Sequence, residues 1–149
     1  VNSARTELVL GLDTKVTLLV TGLLFLWALA LGVWKYRQIR TSPDGSAHVY
    51  VDIAHRAALM YSFAGVLLAV FVALSDWPTA VNLTAALIVE ALFAGAVAQY
   101  CLHGLRRDTT NQFHGTVSPA LRFAMYALIA GEFGGFGVPF TGFLHAQFG

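Results

Sequence analysis

Residues 16–34 read VTLLVTGLLFLWALALGVW, an uncharged apolar run closed by the basic cluster Lys35, Arg37 and Arg40. At ~1.5 Å of rise per residue such a run can cross a hydrocarbon core of ~30 Å as a helix. A secretory signal would carry its positive charge ahead of a shorter apolar core. Here the main basic cluster follows the run, so it reads as a retained span, even though Ala28-Leu29-Ala30 has the look of a cleavage site.

Three more runs follow. The second begins near Tyr50 with the polar turn Asp52, His55, Arg56 and is apolar through Leu74; Ser75-Asp76-Trp77-Pro78 then breaks it. The third holds one acid, Glu90, and the fourth starts at Ser118-Pro119 and holds Glu132. Proline is favoured in the first turn of a helix and supports both starts. The expectation is an all-α, integral membrane four-helix bundle, one domain over residues 1–149. Its helices are placed at about 14–38, 50–74, 79–105 and 118–145.

Composition agrees. The chain of 149 residues is 57% hydrophobic and 11% charged, against about 25% charged in soluble domains. That excludes a cytosolic enzyme and a disordered chain. A net charge of +1 gives no reason to expect nucleic acid as a partner. Cys101 stands alone, so no internal disulfide can form, and no C-x-x-C-H run offers covalent haem attachment.

Lys35, Arg37, Arg40, Arg56, Arg106, Arg107 and Arg122 flank the connections 35–50 and 105–118, seven of the nine basic residues; Arg5 and Lys15 lie opposite. Cytoplasmic loops carry such an excess. Both connections are therefore expected in the cytoplasm and both termini on the non-cytoplasmic side, in a membrane of the bacterial inner-membrane type.

The histidines gather at that same end. His48 and His55 flank the start of the second helix, His103 ends the third and His114 lies in the second loop, whereas His145 is opposite. Helical spacing puts His48, Asp52, His55, Leu59 and Ser62 on one stripe, and Tyr100, His103 and Arg107 on another at equal depth. The two stripes are expected to build a pocket of imidazole, phenol, carboxylate and guanidinium. Imidazole is the usual protein ligand of haem iron, zinc and copper. His55 is the leading candidate, one turn inside its helix with apolar residues beyond it; His103 is the second, and a headgroup-facing histidine is the plain alternative. Asp52, His55 and His103 form a possible metal set without a dense ligand motif behind it. Glu90 and Glu132 are expected to be protonated and hydrogen-bonded to a neighbouring helix, with a proton or ion path as the sharper reading.

Ala54-His55-Arg56-Ala57-Ala58-Leu59, Tyr100 and Asn111-Gln112-Phe113 resemble the corresponding stretches of the styrene oxide isomerase family. The resemblance implies a small four-helix membrane protein that forms a trimer and binds haem b between subunits. It implies ferric haem acting as a Lewis acid that turns an epoxide into an aldehyde, on a small apolar substrate. It also makes His55 the axial ligand of the haem iron and Tyr100 a pocket residue near the substrate oxygen. Six residues beyond the ligand histidine, where the family has asparagine, this chain has Tyr61, which would share the catalytic pocket with Tyr100. A second class of function also stands: a non-catalytic accessory subunit of a larger respiratory or transport complex, with a small proton-conducting protein behind it. The glycines at 131, 134, 135 and 137 around Glu132 are expected to pack on protein, within the chain or in a homo-oligomer.

Overall fold

The structure is a computed structural model that describes residues 9–149, so Arg5 lies outside the described residues. Four helices follow one another: α1 Leu12–Thr41, α2 Val49–Leu74, α3 Thr79–Arg106 and α4 Pro119–Phe148. No strand occurs among the described residues, and each helix is long and apolar enough to cross a membrane. Helix α1 runs a little beyond the expected limits, because helix formation continues past the apolar run. Thr41 Oγ1 donates to the Arg37 carbonyl, and the Arg40 guanidinium lies over the Tyr36 ring.

The stops and starts are written locally. Ser42 precedes Pro43 and takes an extended backbone that ends α1. His48 caps α2, with its Nδ1 accepting from the Tyr50 N–H at 3.3 Å. At the α2–α3 break, Ser75 Oγ donates to Asn82 Oδ1 at 3.0 Å and Asn82 Nδ2 donates to the Trp77 carbonyl at 3.1 Å. The α3 helix closes on Arg107 in the left-handed region, and Ser118 caps α4 by accepting from the Leu121 N–H.

Helices α2 and α3 form the centre. Helix α1 packs on both, α4 packs on both, and α1 and α4 do not meet. The shared core is small-residue-rich, with Ala28, Ala54, Ala58 and Ala86 allowing close approach around Leu24, Phe93 and Val97. Many large apolar side chains point outward, Phe63, Phe123 and Phe133 among them, as expected where the solvent is lipid. Helix α4 is held most loosely and buries only Gly135, Pro139 and Gly142. A Cβ on Gly135 would stand 3.0 Å from the Ala85 carbonyl oxygen, so a side chain there would push α4 off α3. The glycine cluster thus divides: Gly131 and Gly135 face α3, whereas a Cβ on Gly134 or Gly137 would meet nothing.

Connections 42–48 and 107–118 share one end of the bundle, tied by the Gln112 N–H donating to the Tyr50 hydroxyl oxygen at 2.7 Å. The break at 75–78 and the C-terminal end of α4 share the other. There the Asp76 N–H donates to the Gly142 carbonyl and Trp77 Nε1 donates to Thr141 Oγ1.

Candidate functional site

His55 occupies a built position. Its ring lies in the notch left by Gly32 of α1, where an added Cβ would stand 2.9 Å from the imidazole Cε1. Its Nδ1 is 3.0 Å from the Ala28 carbonyl oxygen. A carbonyl can only accept, so Nδ1 donates to it; in the neutral ring Nε2 then keeps its lone pair. Metal-binding histidines are oriented in this way, one ring nitrogen donating to the protein and the other presented. One turn earlier, Asp52 binds Lys35 at 2.5 Å and Arg56 at 2.9 Å, so its carboxylate is spoken for.

Two turns along α2 from His55, a hollow of about 280 Å³ lies between α1 and α2. Leu18, Thr21, Gly22, Phe25, Ser62, Phe63 and Val66 line it. His55, Ser62 and Val66 share one stripe of α2 by helical spacing. The groove is apolar apart from two hydroxyls, and within one chain it is a wall rather than an enclosure.

The other histidines differ. His48 was expected on the helical stripe with Asp52 and His55; it is instead the cap of α2, with an extended backbone, and its Nδ1 lone pair is taken up by the Tyr50 N–H. Its ring stacks beside Tyr50, which in turn lies against Tyr100 and His103, centroids 6.1 and 4.9 Å away. His103 Nδ1 pairs with Asp108 at 2.9 Å, and that hydrogen bond holds the Asp108 carboxyl below the usual range. His145 pairs with Asp76 at the opposite end. The expected single pocket is therefore two separate assemblies: His55 and Asp52 turned toward α1, and an aromatic stack of His48, Tyr50, Tyr100 and His103 between α2 and α3. Among the described residues no three His, Cys, Asp or Glu side chains come together as a metal site, so Asp52, His55 and His103 do not converge.

Tyr61 stacks on Phe93 of α3 at 4.2 Å between centroids and 10° between planes. It lies about 120° around α2 from His55, so neither Tyr61 nor Tyr100 meets His55 within one chain. Glu132 of α4 has an enclosed Oε1 without a hydrogen-bond partner. Glu90 is buried between α1 and α3, accepting from Thr21 Oγ1 at 2.7 Å. One of the two acids thus has the expected bond to a neighbouring helix.

Sequence reasoning missed Tyr50. It is 4% exposed, supports the aromatic stack and fixes the second loop through Gln112. An aromatic at a helix start reads as an interface anchor, and nothing local separates that from a buried post. Beside the stack, His103, His114, Gln99 and Gln112 join Ser118 around a polar hollow of about 560 Å³ at the mouth of the loop end. Comparison with family models, curated proteins and solved structures returns no match for this chain.

Proposed function

We propose that this chain binds haem b through His55 and works as an epoxide isomerase, assembled as a homo-oligomer, a trimer by its resemblance to styrene oxide isomerases. The observation that carries the reading is the Nδ1 contact of His55 with the Ala28 carbonyl, which leaves Nε2 as a free ligand. The Gly32 notch fixes the ring plane, and the apolar hollow between α1 and α2 lies two turns further along the same stripe of α2, offering a flat apolar wall for a macrocycle. The residues present therefore fit the group.

When bound, ferric haem supplies a Lewis acid for an epoxide oxygen. The chain's own part is positional. His55 holds the cofactor, Tyr100 and Tyr61 offer phenolic hydrogens to the substrate oxygen, and apolar walls keep water from capturing the opened ring. His55 and the phenols lie on different faces, so a pocket that uses both takes them from two copies. The exposed Gly134 edge of α4, bordering a hollow of about 580 Å³ between α3 and α4, favours a protein neighbour on that face. The same edge favours the second reading, an accessory subunit seated on a different membrane protein.

The test is the visible spectrum of the purified full-length chain supplied with haem. A Soret band is expected in the wild type and in His145→Ala, and its loss in folded His55→Ala. An unchanged band in folded His55→Ala overturns the ligand assignment. A folded, haem-supplied wild type without the band overturns the haem reading.

A further inference from the structure

The buried face of α1 changes character half-way along. Asp13, Thr14, Thr17 and Thr21 are its buried positions in the first half, and Leu24, Ala28 and Leu31 in the second. The polar stretch leads to Glu90. Thr21 Oγ1 donates to Glu90 Oε1, and Thr21 is held in that direction by α2, where a Cβ on Gly65 would collide with its side chain. Glu90 itself is 2% exposed, and its second oxygen, Oε2, is enclosed without a partner. Toward the loop end, Phe93, Val97, Ala28 and Ala58 continue the core; the buried Ser62 hydroxyl there donates to the Leu59 carbonyl of its own helix, and the Tyr61 ring stacks on Phe93.

A clamp between helices does not account for this. An amide or hydroxyl in place of Glu90 would receive the Thr21 hydrogen bond without the cost of an acid at bilayer depth. Thr17, though fully buried, makes no hydrogen bond to another helix, because its hydroxyl donates to the Asp13 carbonyl of its own helix at 2.8 Å. What Thr17 does provide is an inward-facing hydroxyl oxygen with a spare lone pair, one turn from Thr21.

We propose that this half of the bundle is a one-sided proton entrance that loads Glu90 from the end bearing the C-terminus of α4. A proton passes from a hydronium ion to Oε2; the new O–H bond neutralises the carboxylate and the hydronium is left as water. Asp13 stands at the mouth, the hydroxyls of Thr17 and Thr21 line the way, and the apolar half beyond Leu24 stops onward passage. The charged surroundings are sparse. Helix α1 brings Asp13, with Lys15 exposed two residues on. Residues 57–74 of α2 bring the Tyr61 phenol and no charge, and Glu132 is the acid of α4. Asp76 pairs with His145 at the entrance end. The inference is independent of haem.

The experiment is infrared spectroscopy of the full-length chain in lipid nanodiscs, followed through transfer into D2O. A protonated-carboxyl band component is expected in the wild type and in Glu132→Gln and is expected to vanish in Glu90→Gln. Its shift on deuteration should slow about tenfold in Thr17→Val and in Thr21→Val, the weight of one lost hydrogen bond. If Glu90→Gln folds and leaves the spectrum unchanged, Glu90 holds no proton and the proposal fails. It fails equally if folded Thr17→Val exchanges at the wild-type rate, an arm that stands even where Glu90→Gln does not fold.

Discussion

The two halves of the bundle solve the same problem with opposite chemistry. In the half nearer the 42–48 and 107–118 loops the core is apolar and polar groups sit at the rim: the Lys35–Asp52–Arg56 cluster and the stack of His48, Tyr50, Tyr100 and His103. In the other half hydrogen bonds run inside, from Thr21 to Glu90, from Ser75 to Asn82 and from Asn82 to Trp77. Lipid tails are as apolar as leucine, so apolar burial alone gives membrane helices little reason to associate. The loop half therefore relies on close approach. A Cβ on Gly104 would stand 2.8 Å from Val51 Cγ2, and Gly32 admits His55. The terminal half relies on donors and acceptors and leaves two of them, Glu90 Oε2 and the Thr17 lone pair, for something else.

The largest effect expected on this contrast comes at Gly65. Valine there occupies the space of the Thr21 side chain and drives it from Glu90. Overpacking costs about 1–3 kcal/mol, to which the lost hydrogen bond adds. Valine at Gly95, where an added Cβ meets nothing, is the matched control and should leave stability near that of the wild type. Reversible unfolding in mixed micelles measures both, and equal stabilities would remove Gly65 from the description of the polar half.

Isosteric exchanges sharpen the comparison at a smaller scale. Val97→Thr puts a hydroxyl into the apolar half, where it can bond only the carbonyl one turn back on its own helix and its transfer out of water still costs about 1 kcal/mol. Thr17→Val does the reverse in the polar half. Its hydroxyl bonds only its own helix, so the change should cost less than about 1 kcal/mol. The same micelle titration is expected to rank Val97→Thr below Thr17→Val. The opposite ranking would mean that Thr17 serves stability rather than passage.

The apolar runs made the helices legible, because a span needs length and hydropathy and both are visible in a string of letters. Ser75-Asp76-Trp77-Pro78 and Ser118-Pro119 located two of the boundaries for local reasons that survive in the structure. His55 stood out in the sequence as an imidazole one turn into an apolar helix, and the structure seats its ring against α1. Its tautomer was not, because the Ala28 carbonyl reaches it from another helix. His48 was misplaced on a stripe because helical spacing was extended one residue past the point where the backbone becomes helical. The threonines of α1 passed as ordinary members of an apolar run. Their common face matters only once Glu90 is known to lie opposite, and that is a tertiary fact.

The smallest effect belongs to the rim of the apolar half, in the turn that links α1 to α2. Asp44 accepts hydrogen bonds from the hydroxyls of Ser42 and Ser46, the latter at 2.7 Å, and from the Ser46 N–H at 3.3 Å. Together they pull its carboxyl from the ordinary 3.8 down to about 2. A carboxyl lowered in the folded chain favours folding where it is ionised, so its contribution is complete above 3.8 and fades as the pH falls toward about 2. Gly45, at φ +66°, gives the turn its left-handed step and does not titrate. The Ser46 amide resonance should therefore move with a midpoint near 2, and Asp44→Asn should flatten that titration while leaving the helices unaffected. A midpoint at the ordinary 3.8 would show that the three hydrogen bonds do not hold in solution. The order of the turn would then rest on Pro43 and Gly45 alone.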